Sequence, residues 1–110
     1  MTNSSPRLQQ LLQFHSESPN DAFLLFAIAK EYEKLGNETL SLEYYQKTVA
    51  TTPDYVGTYY HLGKLLQKKG EIQQALDAFK SGIAVAQKIG DRHALSELAA
   101  AKLEISDDED

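Results

Sequence analysis

The chain has 110 residues, of which 42% are hydrophobic and 25% charged, and a formal net charge of −5 at pH 7, a composition that suits one soluble globular domain. The acidic balance argues against a dedicated nucleic-acid binder, which carries a basic excess. There is no cysteine, which excludes disulfides, thiolate metal sites and a cysteine nucleophile, and which fits a reducing, cytoplasmic setting.

Ser5 as N-cap and Pro6 as first helical residue predict a helix over residues 6–14. A second helix is expected over 21–35, stopped by Gly36, and a third over 38–51, capped by Asn37 and stopped before Pro53. A fourth over 54–69 ends at Gly70, a fifth over 71–89 ends at Gly90, and a sixth over 91–105 begins at Asp91 as its N-cap. The acidic run Asp107 to Asp110 reads as a disordered tail. No stretch sustains a strand-like alternation, and the β-branched cluster at 48–52 lies just before Pro53. The longest uncharged apolar run, residues 22–29, is 8 residues, far short of the roughly 20 that span a bilayer. No signal-peptide h-region follows the N-terminus, so the expectation is a soluble, cytoplasmic protein with no membrane contact.

The sequence repeats itself at one offset. Gly36 and Gly70 are 34 residues apart, and at the same spacing Leu25 meets Tyr59, Ile28 meets Leu62, Ala29 meets Gly63 and Tyr32 meets Leu66. Leu42, Tyr45 and Val49 likewise meet Leu76, Phe79 and Ile83, and Lys30 and Lys34 recur as Lys64 and Lys68. Helical periodicity alone does not hold such a register across a glycine turn; a repeated helix–turn–helix unit does.

This pattern resembles the tetratricopeptide repeat family, whose signature places a bulky residue, Leu, a small residue and Tyr on one helix, then a small residue, an aromatic, a small residue and Pro on the next. Residues 22–55 supply Leu25, Ile28, Ala29, Tyr32, Ser41, Tyr45, Thr48 and Pro53; residues 56–89 supply Tyr59, Leu62, Gly63, Leu66, Ala75, Phe79, Gly82 and Gln87. The resemblance implies an all-α, right-handed helical-hairpin superhelix of two repeats (22–55 and 56–89) within a single domain, 1–106. Ser41 and Thr48 stand where the family has Ala, which predicts slightly looser or more polar packing there. Gln87 stands where it has Pro, so the array is expected to end there. Two repeats rarely bury enough surface on their own. The flanking helices 6–14 and 91–105 are therefore expected to cap the ends, through Leu8, Leu11, Leu12 and Phe14 on one side and Leu95, Leu98, Ala99 and Leu103 on the other.

Candidate chemistry is sparse. His15, His61 and His93 lie in different segments without paired ligand spacing. Glu31, Glu33 and Glu38 show no partner constellation for acid–base work, and no nucleophile elbow or phosphate loop occurs. No enzyme, cofactor or metal site is expected. In the resembled family the first helix of each repeat lines a concave groove, and its ligand-facing positions fall here on Phe23, Phe26, Lys30, Glu33 and Lys34, and on Gly57, Tyr60, Lys64, Gln67 and Lys68. The resemblance thus implies a protein- or peptide-binding scaffold whose groove, through Phe23, Phe26, Lys30, Lys34, Tyr60, Lys64 and Lys68, suits an acidic partner with apolar anchors. Some members grip a terminal carboxylate with a Lys and Asn set; Phe26, Lys30 and His61 occupy those places here, so that clamp is not matched. A homodimer formed through the repeat ends is the second reading.

Overall fold

A computed structural model describes residues 4–106; the acidic run Asp107 to Asp110 lies outside the described residues. Six helices follow in order: α1 (Pro6–Glu17), α2 (Ala22–Lys34), α3 (Glu38–Thr51), α4 (Gly57–Lys68), α5 (Ile72–Ile89) and α6 (Arg92–Ile105). The fold is all-α, with no strand among the described residues. Two compact units are distinguished, the first ending at Thr52 and the second starting at Pro53.

In the first unit the Ser5 hydroxyl accepts from the Leu8 N–H at 3.0 Å, as an N-cap should. α1 runs on past residue 14 to Glu17 and is closed by the Ser18 N–H, which reaches the carbonyls of Phe14 and His15, just before Pro19. Asp21 caps α2 by accepting from the Leu24 N–H. At its other end Gly36 takes φ +84°, the Gly36 N–H donates to the Glu33 carbonyl and the Asn37 N–H to the Tyr32 carbonyl. This paired reverse bonding needs a left-handed residue in the middle, which glycine provides without a Cβ clash. Asn37 then caps α3 through the Leu40 N–H.

α2 and α3 close into a hairpin around Ala29, Ser41 and Tyr45, all fully buried. The two polar substitutions in the small-residue positions are satisfied locally. The Ser41 hydroxyl donates across the hairpin to the Ala29 carbonyl at 2.8 Å, and the Thr48 hydroxyl donates one turn back to the Tyr44 carbonyl. α1 covers the far face of α2, with Leu8 and Leu11 entering a cluster with Ala27, Ile28 and Tyr32, and Leu12 packed at its edge. Phe14, expected to join them, is instead 49% exposed, because it lies about 120° round the helix from Leu8.

The second unit repeats the glycine turn 34 residues on: Gly70 has φ +84°, and the Gly70 and Glu71 N–H groups donate to the Gln67 and Leu66 carbonyls. α4 begins at Gly57 rather than at residue 54. A turn follows Pro53, its hydrogen bonds running from the Thr58 and Tyr59 N–H groups to the Tyr55 and Val56 carbonyls. The Tyr59 hydroxyl fastens this turn by donating to the Pro53 carbonyl at 2.7 Å, and Lys88 adds an ion pair to Asp54. Gly63 admits the Phe79 ring against the α4 backbone, and Gly82 lies so close to Tyr59 that a Cβ there would stand 2.6 Å from the Tyr59 Cβ.

α6 packs on α5 in a different phase from the one expected. Leu98 and Ala101 are buried, while Ala94, Leu95 and Ile105 are half-buried and extend the same stripe. Ala99 is exposed and Leu103 is 74% exposed. At about 100° per residue, these two lie about 100° and 140° round the helix from Leu98. Leu98→Ala should therefore cost about 2–5 kcal/mol in urea denaturation, and Leu103→Ala less than about 0.5 kcal/mol. Equal costs would contradict this packing of α6.

Candidate functional site

The outward flank of α2 brings together four of the residues singled out in the sequence. Phe23, Phe26, Lys30 and Lys34 line an open cleft of about 350 Å³ with Arg7, Ala27 and Glu31. They share this flank because Leu25, Ile28, Ala29 and Tyr32, one residue out of phase, are buried. Phe23 is 57% exposed, so α1 does not cover it. The Phe26 ring is half-buried and leans on Tyr45, with 6.0 Å between centroids, and the Lys30 ammonium sits 5.8 Å from the Phe26 centroid, within cation–π range.

Two carboxylates of α2 are engaged. Glu31 is buried; it accepts from the Ser5 hydroxyl at 3.0 Å and faces the Arg7 guanidinium, with Nε at 3.6 Å. It therefore ties the start of α1 to α2. Glu33 accepts from the Tyr45 hydroxyl at 2.8 Å. Sequence reasoning left both without partners, since each partner is supplied by a different helix. The cleft is rimmed by three cations, Arg7, Lys30 and Lys34, with Glu31 as the one acid lining it.

In the second unit Tyr60 and Lys64 line a cleft of about 380 Å³ with Glu97, Ala100, Ala101 and Glu104. The Lys64 ammonium lies 3.3 Å from the Glu104 carboxylate and 6.0 Å from the Tyr60 ring centroid. Lys68 is exposed and does not line this cleft. The acids of α6, whose approach to Lys64 no local pattern signals, give this cleft a mixed charge.

The pattern of the tetratricopeptide repeat family matches residues 24–55 and 56–89. The chain belongs to the tetratricopeptide repeat family. A tetratricopeptide repeat domain protein from Salinibacter ruber is 43% identical, covering 81% of this chain and 99% of its own, with a TM-score of 0.76. A TPR repeat-containing protein of Pseudomonas aeruginosa is 29% identical over 91 residues, 83% of this chain and 87% of that relative. A protein from Bordetella parapertussis shares the fold at 24% identity, with a TM-score of 0.79 over 94% of this chain and 90% of its own. Tetratricopeptide repeats generally mediate protein–protein interaction, and the fold is typically a non-catalytic scaffold.

The three histidines of this tetratricopeptide protein sit on three different helices. His15 meets Tyr44 edge-on at 5.9 Å, His61 meets Tyr60 at 5.6 Å, and His93 pairs with Glu97 on the surface of α6. Among the described residues no group of three His, Asp or Glu could hold a metal, and no helix is long and apolar enough to cross a membrane.

Three buried tyrosines are the perturbed groups. Burial pushes Tyr45 far above its ordinary range, and its hydrogen bond to Glu33 adds to the effect. Burial also raises Tyr32, helped by Tyr44, and Tyr59, helped by Asp54. Unfolded tyrosines lose their protons near pH ~10, whereas these hold theirs in the folded state. Their stabilisation is thus fully present below pH ~10 and is lost as pH rises beyond it. Thermal melts from neutral to alkaline pH should show a melting temperature that falls steeply above pH ~10. Tyr45→Phe should melt lower at neutral pH and fall less steeply above it; an unchanged alkaline slope would remove Tyr45 from this account.

Proposed function

We propose that this protein is an interaction scaffold that holds a peptide or protein partner on the outward flank of α2, in the groove the family uses. The observation that carries the reading is the exposed Phe23 beside Phe26, Lys30, Lys34 and Arg7 in one open cleft. Exposed aromatic surface rimmed by cations suits a segment with an apolar anchor and neighbouring carboxylates. The Tyr60 and Lys64 cleft of the second unit, considered by itself, is the weaker candidate, because Glu97 and Glu104 offset its charge. The lack of cysteine suits a cytoplasmic partner, and the net charge of −5 does not favour nucleic acid. No catalytic role is assigned.

A synthetic extended peptide with a Phe beside two carboxylates, titrated into the isotope-labelled protein, should shift the amide signals of Phe23, Phe26, Lys30 and Lys34. Affinity should fall with added salt. Lys30→Glu combined with Lys34→Glu should weaken binding at least about tenfold without lowering the melting temperature, and Lys64→Glu should matter less. Undiminished binding by the double reversal would remove the α2 flank as the site. A dimer that buries Phe23, seen by light scattering, would favour self-association through this surface instead.

A further inference from the structure

The two flanks of α6 differ in charge. Glu97, Ala100, Ala101 and Glu104 face the cleft shared with Tyr60 and Lys64 on α4. The other flank, carrying Ala99, Lys102 and Leu103, forms a separate cleft of about 390 Å³ with Lys80 and Ile83 of α5. Its floor is apolar, and no acidic residue lines it. Leu103, at 74%, has the greatest exposure of the large hydrophobic residues described. Among the described residues neither Lys80 nor Lys102 is held in an ion pair, whereas Lys47, Lys64 and Lys88 each have a carboxylate within 3.1–3.4 Å. An apolar floor between two available ammonium groups, on a chain of net charge −5, is complementary to one kind of surface.

We propose that the α5–α6 cleft is a second docking site, which takes an acidic amphipathic segment of a partner protein. The segment's apolar side chains cover Ile83, Ala99 and Leu103, and its carboxylates reach Lys80 and Lys102. Two features separate this site from the α2 flank: it lies wholly within the second unit, and it uses different lysines. The phase of α6 creates it, since the burial of Leu98 and Ala101 turns Leu103 outward. A solvent-facing leucine contributes little to the fold, whereas beside two lysines it gives an acidic apolar segment a place to bind.

The probe is a fluorescent synthetic helix with a leucine stripe flanked by glutamates, measured against the full chain by anisotropy at low salt. Binding should be lost when serines replace the leucines or lysines replace the glutamates. Leu103→Glu, and separately Lys80→Glu with Lys102→Glu, should each weaken it at least about tenfold, while Lys30→Glu with Lys34→Glu leaves it unchanged. Because Leu103 is exposed, Leu103→Glu should keep the melting temperature of the parent, so the loss reports the site and not the fold. Equal binding of the serine control, or loss caused by the α2 reversals alone, would overturn the proposal. So would binding to phosphatidylserine vesicles without binding to the helix, or a dimer dissociated by Leu103→Glu, since these assign the cleft to a lipid surface or to a second copy.

Discussion

Gly63 lies directly beneath the Phe79 ring, and a Cβ at this position would overlap the ring carbons. Phe79 is fully buried, so the ring is part of the core that a Cβ would disturb. The contact lets α4 and α5 approach closely enough for Ala75 and Gly82 to be buried as well. In the first hairpin Ala29 and Tyr45 hold the matching positions, with the Ser41 hydroxyl bound to the Ala29 carbonyl. Small residue against aromatic is therefore the lock within the second hairpin, the first hairpin carries the same pair of residue types in register, and the rotation of the first helix decides which residues are left outside. On α2 that rotation buries Leu25, Ile28, Ala29 and Tyr32, and it leaves Phe23, Lys30 and Lys34 on the outside.

Much of this was legible because the signals were local or repeated. Ser5, Asn37 and Asp91 cap helices through their own side chains, and the residues that stop α2, α4 and α5 are the glycines with positive φ. The spacing of 34 residues fixed both hairpins, and with them the cluster on α2. What escaped reading depended on neighbours distant in sequence. The start of α4 is delayed by a turn that Tyr59 and Lys88 fasten from further along the chain. The phase of α6 was ambiguous because Leu95, Leu98, Ala99 and Leu103 place apolar residues on two sides of one helix, and alanine is compatible with either. Only the docking of Leu98 against Gly82, whose added Cβ would stand 3.0 Å from a Leu98 methyl, resolves it.

The charged residues were harder to read, because an isolated carboxylate in a sequence says nothing about its partner. Glu31 is committed to Ser5 and Arg7, Glu33 to Tyr45, and Glu104 to Lys64. These pairings leave the α2 cleft with an excess of positive charge, while the cleft beside Tyr60 has a mixed one. An exposed ion pair such as Lys64 with Glu104 contributes about 0–1 kcal/mol to stability, so its larger consequence is on what the surface can attract.

The hairpin lock can be tested by a double-mutant cycle on Gly63→Ala and Phe79→Leu in urea denaturation. If the Cβ and the ring occupy the same space, Gly63→Ala is strongly destabilising alone but costs much less once the ring has been replaced by leucine. The coupling should then exceed about 1 kcal/mol. Additive effects, or a Gly63→Ala protein as stable as the parent through improved helix propensity, would contradict the claim that this contact sets the hairpin.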